Sequence, residues 1–459
     1  MTPYQRLAIA EPEQLIFGSS LKPVQCGFDL TIGAGLVFPE VNFTLPAMEI
    51  CSGTWRDVIA QYEEMSSQIL RRAVALRVPG IVLEFELLPP MTATPEWGAE
   101  ITRLLHRRLA EAYERHGLRS ALRVTPTDIR DQARPPVLRE GPPWENLKQS
   151  FALTIEAGAD IVSIESVGGK ELHDPALMYG DMGAIVFALG VLAPRDTSWL
   201  WEQISAMCRA GGRAIPGGDT ACGFANTAMQ LAHQKMLPEV LAAVVRAMSA
   251  VRSLAAFEHG AVGPSKDCAY EGPVIKAITG CPISMEGKSS SCAHFSPVGN
   301  IAAAVCDLWS NESVQNVRLL SGNAPEAYTE LLAYDCRLMN AAASKGCAAL
   351  LRDWLCASDE DLSPQAAVLS LSATMRIARA IVNAGTPYQR TVAAGLAAVS
   401  ELRERIAAGK LRLNAKEGQW LDRIEAQLGD LPADEASLCQ EIATRYEGVF
   451  APSSYGPDW

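Results

Sequence analysis

Residues 160–169 read DIVSIESVGG, and the fold follows from how this stretch is read. Three β-branched residues, Ile161, Val162 and Ile164, run into a carboxylate, Glu165, and then into Gly168 and Gly169. A short run of this kind, closed by a polar residue and glycines, is a strand opening into a loop. The pattern recurs on both sides. Upstream lie Ala34–Asn42 (AGLVFPEVN), Gly80–Glu86 (GIVLEFE) and Ser120–Pro126 (SALRVTP). Downstream lie Arg213–Gly217 (RAIPG), Ala255–Ala261 (AAFEHGA), Cys281–Glu286 (CPISME) and Asn316–Ser321 (NVRLLS). Helical patterns separate them at Asp57–Leu76, Pro95–His116, Trp144–Ala157, Asp174–Leu192 and Asn226–Ser253. Strands alternating with helices imply right-handed parallel crossovers, and eight strands are the number that closes a (β/α)8 TIM barrel.

The character changes at Ser344. From there to Leu431 the chain offers only Ala/Leu/Arg/Glu-rich patterns such as Pro364–Ala384 and Arg390–Ala408, compositions that favour helix. The expected α/β architecture is therefore a barrel over residues 1–343, with an N-terminal extension, and an all-helical extension over 344–459 packed on it. Pro452–Trp459 (PSSYGPDW) reads as an irregular tail. The length prior of roughly 150 residues per domain would divide the 459 residues into three, but α/β barrels are the known exception.

Composition narrows the function classes. With 48% hydrophobic and 20% charged residues the chain builds a large core and is not disordered. Its 40 Lys and Arg against 52 Asp and Glu leave a net charge of −12, which repels phosphate backbones, so no nucleic-acid partner is expected. The most apolar helix candidate, Gly180–Leu192, is shorter than a bilayer span and contains Asp181, so no membrane partner is expected either. The start, Met1–Phe17, lacks a basic region followed by an apolar core. Together with 12 thinly spread cysteines, this points to a reducing cytoplasm, where thiols serve as buried side chains, ligands or nucleophiles.

In a barrel, functional residues gather where strands run out into loops at the C-terminal face. Three such exits carry candidates. The fourth strand ends at Glu165; the fifth opens into Gly217-Gly218-Asp219-Thr220-Ala221-Cys222-Gly223; the sixth is followed by Gly263-Pro264-Ser265-Lys266-Asp267-Cys268. Glycine there lets the backbone turn tightly and a ligand approach. Two thiolates and a carboxylate suit a borderline-soft ion such as zinc, and three protein ligands leave the fourth position open for catalysis. The ligands lie 57 and then 46 positions apart, which excludes a zinc ribbon or finger. Spacing alone leaves open the alternative of two buried thiols and a salt-bridged glutamate.

A resemblance weighs against that alternative. The segments Gly217–Thr227 (GGDTACGFANT), Gly263–Gly272 (GPSKDCAYEG), Val37–Pro46 (VFPEVNFTLP) and Pro79–Gly98 resemble the methanol–corrinoid methyltransferase family, and the likeness covers most of residues 3–345. It implies that Glu165, Cys222 and Cys268 are zinc ligands. It also implies an activity, transfer of a methyl group from methanol to the cobalt(I) of a corrinoid carried on a separate protein. Hydroxide is a poor leaving group, so such a reaction needs a Lewis acid at the methanol oxygen. None of the six histidines stands in an Asp-x-His-x-x-Gly run, so the corrinoid (cobalamin) is expected on a corrinoid-binding partner docked over the C-terminal face. A homodimer or hetero-oligomer is the expected assembly.

Two further residues are catalytic candidates. Asp219 stands beside the fifth-strand glycines as a positioning group or proton acceptor, with a loop or helix cap as the alternative. Glu84 and Glu86 lie two apart and share one face of a strand, opposite Phe85; Glu84 either serves the pocket or forms a salt bridge. His259 and His294 read as structural, and Lys266 and Asp267 as solvated loop charges. Rival functions are the same chemistry with a methoxylated aromatic or other methyl donor, an inactive corrinoid-protein scaffold, and a zinc hydrolase. Hydrolytic zinc sites favour His and carboxylate ligands over two thiolates, which disfavours the last.

Overall fold

A computed structural model describes residues 3–266, 268–311, 318–319 and 322–456. The chain opens with an antiparallel hairpin, β1 (Ser19–Cys26) and β2 (Leu30–Ala34). Seven parallel strands follow: β3 (Phe38–Phe43), β4 (Ile81–Leu87), β5 (Ser120–Pro126), β6 (Ile161–Ile164), β7 (Ile215–Asp219), β8 (Ser284–Glu286) and β9 (Leu308–Ser310). They form one curled sheet in the order β7-β6-β5-β4-β3-β9-β8, with helices between them.

Period-2 alternation sorts the strand residues into an inner and an outer set. Val41, Leu83, Phe85, Leu122, Val124, Val162 and Ile164 belong to the large apolar core shared with the helices. The other set lies inside the curl and forms layers. Phe38, Val82, Ala121, Ile161 and Leu308 make an apolar floor, closed from below by Leu30 and Ile32 of the hairpin. Two residues further along their strands stand Glu40, Glu84, Arg123 and Ser163, joined by Ser284 of β8, which donates to Glu40; all are buried. Two further still come Asn42, Glu86, Thr125, Glu165 and Glu286, at the C-terminal edge.

Five sequence expectations change, the first being the helix predicted over Asn226–Ser253, which is two helices, Cys222–His233 and Glu239–Glu258, parted ahead of Pro238. The sixth strand predicted at Ala255–Ala261 is not one: helix Glu239–Glu258 runs into it, because Ala-Ala-Phe-Glu continues the helix's own pattern. Its place between β7 and β8 is taken by residues 262–266, where Val262 N donates to Pro216 O (2.8 Å) and Ser265 bridges Ile283. Pro264 has no N–H for a ladder, so this segment lacks strand character of its own. The eighth strand predicted at Asn316–Ser321 falls largely outside the described residues; Arg318–Leu319 pairs antiparallel with Gly322–Asn323, and the sheet instead uses β9. The single helix predicted over Asp174–Leu192 is interrupted at Gly180, which is left-handed (φ 60), and restarts with Asp181 capping Ala184 N. Finally, helix Glu239–Glu258 is long and apolar enough to cross a membrane, but its apolar window is wholly buried inside the protein.

β7 shows why two consecutive glycines stand there. The β6–β7 register shifts between Val162 and Ser163, so Gly217 is an extra residue. A Cβ on Gly217 would lie 2.7 Å from Ser163 Oγ and 3.0 Å from Pro264 O. After Asn323 the described elements are helices, and the apolar core runs unbroken from the sheet into Ala378, Leu402, Leu421 and Ile442.

Candidate metal centre

Among the described residues, Glu165, Cys222 and Cys268 are the one trio of Cys, His, Asp or Glu side chains placed to share an ion, with ligand atoms within 4.8 Å of one another. Each comes from a different exit. Glu165 follows β6, Cys222 opens helix Cys222–His233 after β7, and Cys268 follows the 262–266 segment. Cys268 Sγ and Glu165 Oε1 are 3.4 Å apart. Tetrahedral zinc with sulfur at 2.3 Å and oxygen near 2.1 Å would hold such a pair about 3.6 Å apart. Cys268 is buried, and Cys222 and Glu165 are half-buried, so the trio is open on one side. Burial, the Cys222 thiol and the Glu165 and Glu286 carboxylates all push the Cys268 thiol well above its usual range. A metal cation bound at the trio would favour the ionised thiol. Asn226 Nδ2, one helical turn on, donates to Cys222 Sγ at 3.2 Å.

Lys266 is not a solvated loop charge. It is 4% exposed, with Nζ 3.0 Å from Glu84 Oε1 and 3.4 Å from Glu165 Oε1, and it also pairs with Glu86. Burial works against its charge, but Glu84, Cys268 and Glu286 outweigh burial and hold its pKa above the ordinary lysine value. Lys266 and Cys268 are two apart, the spacing that puts both on one side of an extended segment; that signal was present in the sequence. Asp267 lies outside the described residues. Glu84 forms this salt bridge with Lys266 and also accepts from Thr125 Oγ1 (3.1 Å).

Asp219 is buried, with both carboxylate oxygens hydrogen-bonded to protein groups. Its oxygens accept from Ser166 N (3.1 Å), Ser166 Oγ (2.7 Å), Trp201 Nε1 (2.8 Å) and Arg252 Nη2 (3.0 Å). Arg252 and Trp201 escaped the sequence reading because they come from helices that carry no ligand, and Glu271, three residues past Cys268, because its partners lie on other elements. The loop glycines also differ from expectation. The space a Cβ would fill is taken by Asp196 at Gly168, by Ser163 and Pro264 at Gly217, and by Pro282 O at Gly263, so these glycines admit protein rather than a ligand.

Beside Glu165 a cavity of about 240 Å³ opens, lined by Glu86, Thr125, Thr127, Asp131, Glu165 and Lys170 among others. The site is thus a thiol–thiol–carboxylate trio at the C-terminal edge of a curled parallel α/β sheet, the ligand set of an open, borderline-soft metal centre. Comparison narrows this class. The family model for the methanol-cobalamin methyltransferase B subunit (MtaB) matches residues 1–456. The chain is 38% identical over 460 residues to the methanol–corrinoid protein co-methyltransferase of Methanosarcina barkeri, covering 99% of each. It superposes with a TM-score of 0.95, at 36% identity, on a chain from the crystal structure of the methanol:cobalamin methyltransferase complex MtaBC of Methanosarcina barkeri, covering 99% of this chain and 100% of that one. The chain belongs to the MtaB family, and it is a methyltransferase of the methanol–corrinoid type.

Proposed function

We propose that the protein moves a methyl group from methanol to the cobalt(I) of a corrinoid held by a separate corrinoid protein, with zinc bound by Glu165, Cys222 and Cys268. The observation that carries this reading is the convergence of the three side chains' ligand atoms within 4.8 Å of one another, beside a cavity of about 240 Å³. When bound, zinc supplies a Lewis acid for the oxygen of methanol. The chain's own residues do the rest. Glu165, Cys222 and Cys268 hold the ion, and Asn226 donates to the Cys222 sulfur. Lys266 balances part of the negative charge, and Glu84 holds Lys266 in place. Asp219, with both oxygens bonded elsewhere, acts as a positioning residue rather than on the substrate.

The family likeness favours methanol as donor over a methoxylated aromatic, the rival reading. The test is methyl transfer to free cob(I)alamin, followed spectroscopically with methanol and methoxybenzoates as rival donors. Methanol should be the better donor; a faster methoxybenzoate moves the reading to methoxylated aromatics.

We read the sheet as a (β/α)8 barrel, with residues 262–266 as the remaining stave and the helices after Ser344 as an extension. The hydrogen bonds of Val262 and Ser265 to both sheet edges support this. The corrinoid protein would dock over the loops around the trio. Lys170, partly exposed at the cavity wall, is the charge to reverse: Lys170→Glu should slow transfer to the protein-bound corrinoid more than to free cobalamin. A homodimer or hetero-oligomer fits the exposed Leu331, Tyr334 and Leu338, which share one face of helix Ala324–Ser344. A cytoplasmic setting fits cysteines that form no disulfide among the described residues.

A further inference from the structure

The three ligand-bearing loops are joined by two buried ionic side chains, Arg252 and Glu271. Arg252, on helix Glu239–Glu258, is 0% exposed. Its guanidinium donates to Ser166 O (2.7 Å), one residue past Glu165, and to Thr220 O (2.7 Å), two residues before Cys222. It also pairs with Asp219 (3.0 Å) and lies over the Phe224 ring at 5.0 Å. Glu271, three residues past Cys268, makes the complementary link. Its Oε1 accepts from Ala221 N (2.8 Å), the residue before Cys222, from Thr220 Oγ1 (3.1 Å) and from Ser253 Oγ (2.7 Å). Arg252 therefore ties the Glu165 loop to the Cys222 loop, and Glu271 ties the Cys222 loop to the Cys268 loop. Both reach the same point of helix Glu239–Glu258, through the adjacent Arg252 and Ser253.

We infer that Arg252 and Glu271 form a clamp that sets the spacing of Glu165, Cys222 and Cys268, making both positioning residues of this methyltransferase. The inference rests on the zinc reading above. Ligands drawn from separate loops match an ion only if those loops are held to a fraction of an ångström, and groups outside the ligand shell do this. A planar guanidinium that bridges two carbonyls is rigid in a way lysine is not.

The test compares Arg252→Gln, Arg252→Lys and Glu271→Gln with Lys276→Met. Lys276 is an equally buried control whose partners, Asp307, Ile16 O and Val305 O, lie at the opposite end of the sheet. Zinc affinity is read by chelator competition, ligand geometry by the thiolate-to-cobalt bands of the Co(II)-loaded protein, and folding by circular dichroism. The clamp variants should bind zinc about 10–100-fold more weakly, with shifted cobalt bands, while Lys276→Met loses thermal stability and keeps wild-type zinc affinity. If Arg252→Gln fails to fold, Arg252→Lys and Glu271→Gln decide. Folded clamp variants with wild-type affinity, or a Lys276→Met variant weakened as much as they are, would overturn the inference. Phenylarsine oxide, which needs two close thiols, probes the same spacing without a metal ion. A wild-type protein that takes it across Cys222 and Cys268 but binds no zinc sinks the zinc reading and leaves the clamp standing, provided the variants take it more slowly. Equal uptake by variants and wild type overturns the clamp.

Discussion

Two adjacent layers inside the curled sheet use charge differently. In the middle layer Arg123 Nε meets Glu40 Oε1 at 2.6 Å, and its Nη1 donates to Ser163 Oγ (2.7 Å) and Pro264 O (2.9 Å). Ser284 donates to the same Glu40, so β3, β5, β6, β8 and the 262–266 segment are joined through one ion pair of zero net charge. Burial raises the Glu40 pKa, and Arg123 pulls it back. The layer above gathers Glu86, Glu165 and Glu286 around Lys266, which also reaches down to Glu84 of the middle layer, with two thiols beside them. Here the charges do not cancel. The difference separates an interior that joins strands through a neutral pair from one whose negative charge a bound cation would balance.

The sharpest way to break this contrast is to remove the thiols. Cys222→Ala and Cys268→Ala should each drop zinc from about one ion per chain to near none, as read by metal analysis, with the circular dichroism spectrum unchanged. Full occupancy in both variants would remove the upper layer's assigned role.

The middle layer should answer in stability alone. Arg123→Met leaves Glu40 buried without its partner and should cost about 3–5 kcal/mol in denaturant unfolding, with zinc per folded chain unaltered. Adding Glu40→Gln should recover part of that loss, because no charge is then left unpaired. A fall in zinc content as large as that in the cysteine variants would mean the two layers are one functional unit.

A third test lies behind the Glu165 loop. Burial pushes the Glu171 carboxyl up to about 7, against a hydrogen bond from Tyr455 that lowers it, and Asp196 adds to the rise. The folded-state pKa is above the unfolded value, so the folded state binds the proton more tightly. The resulting penalty is absent below about pH 4.5, grows as pH rises through 7, and levels off above it. It amounts to at most about 3 kcal/mol. Glu171→Gln should therefore unfold at a higher temperature than wild type at pH 8 and at the same temperature at pH 4.5. An equal difference at both pH values would rule out titration of Glu171.

The smallest effect is expected in the helices. Arg376 and Glu404 pair at 2.5 Å on the surface, and Arg376→Ala should change stability by less than about 1 kcal/mol. A loss as large as that of Arg123→Met would show that exposure does not distinguish these ion pairs.

Much of this arrangement was legible before any coordinates. Ser120–Pro126 and Pro95–His116 are a strand and a helix at the residues expected, because their patterns are long and clean, and Gly117 ends the helix in a left-handed turn. The trio was legible because each ligand type stands at the end of a strand-like run. The 262–266 stave and β9 were not, since one carries a proline and the other is three residues long, too short for any period to register.

By itself the sequence determined the alternation of strands and helices, the inward face shared by Glu84 and Glu86, and the side chains from which a metal centre could be built. Those are local properties, set by periodicity and by chemical type. Only the tertiary structure decided that Lys266 is buried among carboxylates, that Asp219 faces Arg252 and Trp201, and that Arg252 and Glu271 reach both sides of Cys222. Each of these depends on which distant loops the closing sheet brings together, and a residue's neighbours across the fold leave no trace in its own stretch of chain.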